Sequence, residues 1–238
     1  MNVPSSWLDV LVRTDMPALP ALALQQWALR AEWALVVAWL VAVMVGWCLR
    51  RVGVQQPLTA VRAVSLLAAL GTLLLPEAAS PSYWLGLAFQ WPSLMTAVLC
   101  SVGLWRAFQQ QDAVAQPDRK AHMHWMWAAW VCSAWGWLLL LDTFALLPVH
   151  LYAWGFSPLA LAVLAVLALA LCLWAQADAR SASTGIGTCL LWVLVVHVLT
   201  RLPTGNVWDA VMDPWLWLFA QAWLVQRLWR RFSVRARG

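Results

Sequence analysis

The sequence predicts an all-α integral membrane protein, a seven-transmembrane helix bundle with its N-terminus outside and its C-terminus cytoplasmic. Three observations lead there. Of 238 residues, 63% are hydrophobic and only 11% are charged. Apolar runs near the length of a span recur along the chain, separated by short polar turns. Lysine and arginine crowd onto alternate turns. A soluble domain carries about 25% charged residues, and a helical span needs about 20 residues. Seven spans leave no room for a separate soluble domain, so 1–238 reads as one polytopic unit. The composition argues against a disordered chain, a nucleic-acid partner or an ordinary soluble enzyme.

Residues 1–30 read as an outer interfacial segment. Ser5 and Ser6 can cap a short amphipathic helix from Trp7 to Thr14, with Trp7, Leu8, Leu11 and Val12 on one face. Pro17 and Pro20 end it, and with Asp9, Arg13 and Asp15 they break any signal-peptide pattern. Pro20 suits the first turn of a long helix that becomes span 1, over 33–49, stopped by Arg50 and Arg51. Span 2 covers 58–75, with Arg62 snorkelling to the headgroups. Span 3 covers 83–105, kinked at Gln90-Trp91-Pro92 because proline removes a helical hydrogen bond. The polar loop 106–120 follows. Span 4 covers 123–147, carries Asp142 in its last third and is closed by Pro148.

A short aromatic loop with His150, Tyr152 and Trp154 leads to Ser157-Pro158, a helix-start signal. Span 5, 159–176, is almost wholly Ala, Leu and Val. Span 6, 187–200, ends at a Pro, Gly and Asn turn. Asn206 with Asp209, and Asp213 before Pro214, have the spacing of helix N-caps. Span 7, 214–230, has only 13 uncharged residues from Pro214 to Gln226, about 20 Å of rise, and relies on arginines to reach the headgroups. With the N-terminus outside, 12 of the 15 basic residues fall on the inner side; Arg13, Arg30 and Arg201 are the exceptions. That bias is the positive-inside signature.

Tryptophan is the compositional oddity, at 21 residues. Trp7, Trp27, Trp33, Trp84, Trp154, Trp208 and Trp215 map to the outer interface. Trp47, Trp105, Trp125, Trp174 and Trp229 map to the inner one. These are the belts where amphipathic rings are favoured. Trp127, Trp130 and Trp137 form a stripe for packing or lipid contact. The five cysteines lie inside spans, without a CxxC, and read as small buried apolar residues. A single lysine, a single isoleucine and abundant arginine and alanine fit a GC-rich bacterial genome, hence a bacterial inner (cytoplasmic) membrane.

The candidate ligand-binding residues are Asp142, His150, His197, Arg201, Asp209, Trp154 and Trp208, all at or above the outer third of the bundle. His197 and Arg201, four apart, are expected on one helix face. Asp142 is expected within reach of either. Arg201 and His197 suit a phosphate or carboxylate, with Asp142 or Asp209 as base. No cofactor or metal is expected. His122 and His124 are two apart and point apart on a helix. Of the histidines, only His150 with His197 suits a haem by depth, and His150 lies in a loop. Lys120 sits in an inner loop, which excludes a span-7 retinal Schiff base. HExxH, GxSxG and Walker sequences are absent.

The leading functional expectation is therefore a non-catalytic subunit or accessory protein of a cell-envelope membrane complex. Its partners would be membrane lipids and a membrane protein subunit. The second expectation is an enzyme or carrier for a lipid-linked anionic substrate, a polyprenyl phosphate or glycolipid, at the outer face. The third is a small transporter with the Gln90–Pro92 break as its discontinuous helix.

Overall fold

The computed structural model describes residues 12–14, 17–53, 58–109, 119–177 and 185–235. The expected helix from Trp7 to Thr14 lies almost wholly outside them. Among the described residues every regular element is helical. The elements are α1 (Leu22–Arg51), α2 (Leu58–Leu74), a 3-10 turn (Glu77–Ala79), α3 (Pro81–Phe89), α4 (Leu94–Gln109) and α5 (Arg119–Thr143). They continue with α6 (Leu151–Trp154), α7 (Pro158–Ala177), α8 (Ile186–Thr200), α9 (Val207–Val211) and α10 (Pro214–Arg235). One helix among them, α1, is both long enough and apolar enough to cross a membrane by composition; α2, α4, α8 and residues 158–174 of α7 are shorter apolar helices.

The helices pack both on chain neighbours and on distant partners. α1 lies on α2 and α4, α5 on α10, and α7 on α8, while α4 and α9 both touch α8. In α1 the buried positions Ala34, Ala38, Ala42 and Gly46 recur every four residues. That small-residue ridge lets neighbouring helices approach closely. A hydrophobic core joins α4, α7, α8 and α9 through Leu94, Leu164, Ala168, Leu190, Val193 and Val207.

Two boundaries differ from the sequence expectation. The stretch 83–105, expected as a kinked span whose first part is a half-helix at the outer face, is two separate helices, α3 and α4, with the non-helical residues 90–93 between them. Gln90 adopts φ 60° and ψ −135°, a left-handed backbone that favours glycine, and Pro92 cannot continue the ladder. The second difference is at 123–147. Here α5 stops at Thr143, where Ala145 takes φ 54°. Leu146 N–H donates to the Leu141 carbonyl at 3.0 Å, and Ala145 N–H to the Asp142 carbonyl at 2.8 Å. This bond pair is a Schellman cap. Its left-handed residue is alanine where glycine is usual, so the stop carries no glycine signal and Pro148 marks the end too late.

Exposed and buried surfaces are inverted relative to a soluble protein. Leu66, Leu67, Val163, Val166, Leu173, Leu199 and Trp229 are exposed, whereas Glu32, Ser65, Thr72, Ser93, His197, Asn206 and Asp213 are buried. Two interior hydroxyls satisfy themselves on backbone: Ser65 donates to the Val61 carbonyl and Thr72 to the Ala68 carbonyl. Of the expected belt tryptophans, Trp27, Trp47, Trp84, Trp105, Trp154, Trp174, Trp215 and Trp229 are exposed. Trp33 and Trp208 are buried instead, because each indole N–H is used inside the fold. Cys48 is exposed and Cys100 and Cys189 are buried; all five cysteines are free.

Gly187 sits where α8 meets α7 most closely. A Cβ there would stand 2.8 Å from the Ala168 carbonyl oxygen and 2.8 Å from the Cys172 nitrogen. Both are backbone atoms and cannot swing away. Gly187→Ala should therefore destabilise the fold by about 1–3 kcal/mol, the usual range for overpacking. A thermal melt of the purified variant checks this, and an unchanged midpoint would contradict the close α7–α8 contact.

Candidate functional site

Many polar residues of the described chain fall in the turns around 90–93, 142–157 and 201–213, whereas Arg50, Arg51, Arg106, Arg227 and Arg230 lie toward the C-terminal ends of α1, α4 and α10 and Arg62 near the start of α2. Two polar clusters form around these turns. The first joins the α5 end, α6 and the turn before α9. The second joins α1, the 90–93 break and the start of α10.

The first cluster is built from helix ends that need caps. Asp142 accepts from the Tyr152 backbone N–H at 2.7 Å through Oδ2, which caps α6, and its buried Oδ1 has no partner. Asn206 caps α9: its Oδ1 accepts from Trp208 N–H at 2.9 Å, and its Nδ2 donates to the Tyr152 carbonyl at 2.9 Å. The capping pattern at Asn206 and Asp209 is completed by a different donor set. Asn206 N–H donates to Thr204 Oγ1, not to Asp209. Asp209 Oδ2 instead accepts from the Thr204 hydroxyl and from the Tyr152 phenol, the latter at 2.8 Å. Trp208 stacks on Trp135 at 4.8 Å and donates from Nε1 to the Leu151 carbonyl. Gly155 leaves room for this knot, since a Cβ there would lie 1.8 Å from Asn206 Oδ1.

His197 and Arg201 do not share a helix face. Arg201 is the first residue past α8, at φ 60° and ψ 16°, and its N–H donates to the His197 carbonyl at 2.7 Å. This is the αL helix stop, so the i, i+4 geometry ends one residue earlier. His197 is buried and donates from Nδ1 to the Leu202 carbonyl at 2.8 Å. His150 precedes α6 at its N-cap position and is exposed, with no side-chain cap bond. Trp154 is exposed. Of the seven candidates, the structure ties Asp142, Asp209 and Trp208 together through Tyr152 and its neighbour Leu151. His150 and Trp154 point outside that network.

The second cluster centres on Asp213, which the sequence marks only as a cap. Its Oδ1 accepts from Leu216 N–H at 2.6 Å and so caps α10. Its Oδ2 accepts from Ser93 N–H at 2.6 Å and from the Thr96 hydroxyl at 2.6 Å, at the start of α4. One carboxylate thus closes the positive ends of two helices 120 residues apart in sequence. Trp33 donates from Nε1 to the Gln90 carbonyl at 3.1 Å, and Phe89 packs edge-on against Trp215 at 4.6 Å. Beside Trp33 is Glu32, 5% exposed, with Oε2 buried and unpartnered. The Asp213 charge acts on Glu32, Cys100 and Cys132. The sequence analysis missed Glu32, although it stands alone as an acid in the apolar run of α1. It also missed Tyr152 as a hub and Ser93 with Thr96 as partners.

Asp213→Ala removes the α10 cap and the acceptor of Ser93 N–H and the Thr96 hydroxyl, leaving Ser93 Oγ to cap α4 through Thr96 N–H. At about 1 kcal/mol for an ordinary cap, and more for bonds to a charged acceptor, it should cost about 2–4 kcal/mol in a denaturant or thermal melt. A loss below that of a single cap would mean that the α4 bond contributes nothing. Tyr152 supplies a pH signature. Burial, then the bond to the Asp209 carboxylate, holds its phenol above the ordinary value of 10.0. The folded state therefore keeps a proton that the unfolded chain releases near that pH. The stabilisation is complete below about pH 10 and declines as pH rises through the folded value. Tyr152→Phe should flatten this alkaline decline; identical stability–pH curves would contradict the Tyr152–Asp209 bond.

The chain matches no family model, no curated protein and no solved structure.

Proposed function

We propose that the chain is a seven-span protein of a bacterial inner membrane, N-terminus outside, acting as a non-catalytic subunit or accessory protein of a cell-envelope complex. The observation that carries this reading is the inverted surface. Apolar side chains cover the outside of α2, α7, α8 and α10 while carboxylates, an amide and a histidine lie inside. Water would charge heavily for such an exterior, about 25 cal/mol per Å² of apolar area; a bilayer would not. Helices α1, α2, α4, α5, α7, α8 and α10 are the seven spans, with α3 a half-helix leading into α4. The arginines then sit at the cytoplasmic side.

The accessory role rests on how the polar turns are used. Asp142, Asn206, Asp209, Asp213 and Tyr152 are committed to helix caps and to one another. Such a network fixes the geometry of short connecting helices and presents a rigid outer surface for a partner.

One observation favours a second reading, a protein that handles a lipid-linked anionic ligand. A cleft of about 390 Å³ is lined by Trp27, Arg30, Glu77 and Tyr83 among others. Its cation, carboxylate and rings match a headgroup at the interface. It is a different place from the Arg201 and His197 region that the sequence singled out.

The first reading is tested by mild-detergent purification from native membranes. A membrane protein subunit should co-purify at fixed stoichiometry, and the chain should stay in the membrane pellet at alkaline carbonate pH. A lone monodisperse monomer would overturn the accessory role, and release by carbonate would overturn the spans.

A further inference from the structure

We propose that Glu32 is an exchangeable proton-binding site inside the bundle, facing the fixed carboxylate of Asp213 at the break between α3 and α4. Three observations meet there. Glu32 is 95% buried and its Oε2 has no hydrogen-bond partner. Asp213 already accepts from Leu216, Ser93 and Thr96, an arrangement that suits a group acting only as acceptor. The helix is interrupted beside them: Gln90 carries a left-handed backbone, and its carbonyl is held by Trp33, the residue after Glu32. Strained backbone of this kind clusters at functional positions.

The surroundings decide the chemistry. Among the described residues, the charge that acts on Glu32 is the Asp213 carboxylate, which also acts on Cys100 of α4 and Cys132 of α5. α2 brings Arg62, whose guanidinium is bound to the Phe108 carbonyl at the other end of the bundle. Arg106 of α4 and Arg227 of α10 belong to that far end as well. On the near side, Arg30 and Tyr83 line the outer cleft, with Arg30 against Trp27. A buried carboxylate without a counter-charge is costly, and a bound proton removes the charge. The unpartnered oxygen then becomes an O–H donor or an acceptor for water.

Three further buried polar atoms lack partners: Asp142 Oδ1 in the other cluster, Ser133 Oγ on α5 and Gln221 Nε2 on α10. Asp213, Trp217 and Gln221 are spaced four apart and share a helix face. Buried polar atoms of this sort are where ordered water resides, and such water supplies the exchange route. The step is simple: the Glu32 O–H bond breaks, the proton passes to water, and the negative charge stays on Glu32 with no change of oxidation state. This places a protonatable acid at a discontinuous helix, the arrangement by which membrane proteins couple a conformational change to proton occupancy. It goes beyond the accessory role and depends on the burial of Glu32, so failure of a partner to co-purify leaves it standing.

The test uses the full chain in native membranes and dicyclohexylcarbodiimide, an apolar reagent that adds to protonated carboxyls and leaves a stable N-acylurea. Peptide mapping by mass spectrometry locates the adduct. The expected result is modification of Glu32, slowing about tenfold per pH unit once the acid ionises, with Asp213 unmodified. Glu32→Gln should abolish that adduct, which also guards against misassignment to a neighbour. An unlabelled Glu32 across the pH range, in a sample where exposed Glu77 is labelled, would overturn the proposal. So would labelling of Glu32 that is independent of pH.

Discussion

The organisation of the polar turns depends on a single carboxylate that serves two helices. Every helix leaves unpaired N–H groups at its start, and inside an apolar bundle there is no bulk water to take them. Asp213 meets that requirement for α10 and, across 120 residues of sequence, for α4. It thereby fixes where the broken helix restarts, and the break in turn carries Gln90 to Trp33 and sets Glu32 beside the acid. Phe89 against Trp215 closes the same junction by ring packing.

The second polar cluster obeys the same requirement with different residues. Asp142 caps α6, Asn206 caps α9, and Tyr152 links both through its N–H, its carbonyl and its phenol. These bonds join the end of α5 to the turn after α8, two regions that share no continuous secondary structure. A residue that satisfies three separate polar needs behaves as a hub, and its loss is felt at several backbone positions at once. Each cluster leaves one buried carboxylate oxygen without a partner, Asp142 Oδ1 in one and Glu32 Oε2 in the other, but Asp142 also accepts from a backbone N–H through Oδ2.

Much of the helical layout was legible. Apolar runs bounded by Arg50 and Arg51, by Ser157-Pro158 and by Asp213-Pro214 correspond to α1, α7 and α10 within a few residues. Those signals are local: charge stops a helix in an apolar setting, and proline with a preceding cap residue starts one. The stop at Ala145 was not legible, because a left-handed alanine leaves no mark in sequence. Arg201 misled for the same reason. A spacing of four implies a shared face only while the helix lasts, and the left-handed turn at Arg201 ends it. The interior acid was hidden for another reason. Glu32 lies at the edge of an apolar run and reads as a boundary residue until neighbouring helices are placed around it.

The amino-acid sequence by itself determined the all-helical class, the approximate place of several helices and the caps at Asn206 and Asp213, because each follows from contacts within a few residues or from composition. Only the tertiary structure decided what those polar groups face. Asp213 has a second helix to cap because α4 restarts beside α10. Tyr152 reaches Asp209 because α6 folds back on α9. Glu32 is left with one unpartnered buried oxygen, and the charge that acts on it is the Asp213 carboxylate. Such pairings join residues far apart in the chain, and burial, which gives each bond or missing bond its energetic weight, exists only once the helices are packed.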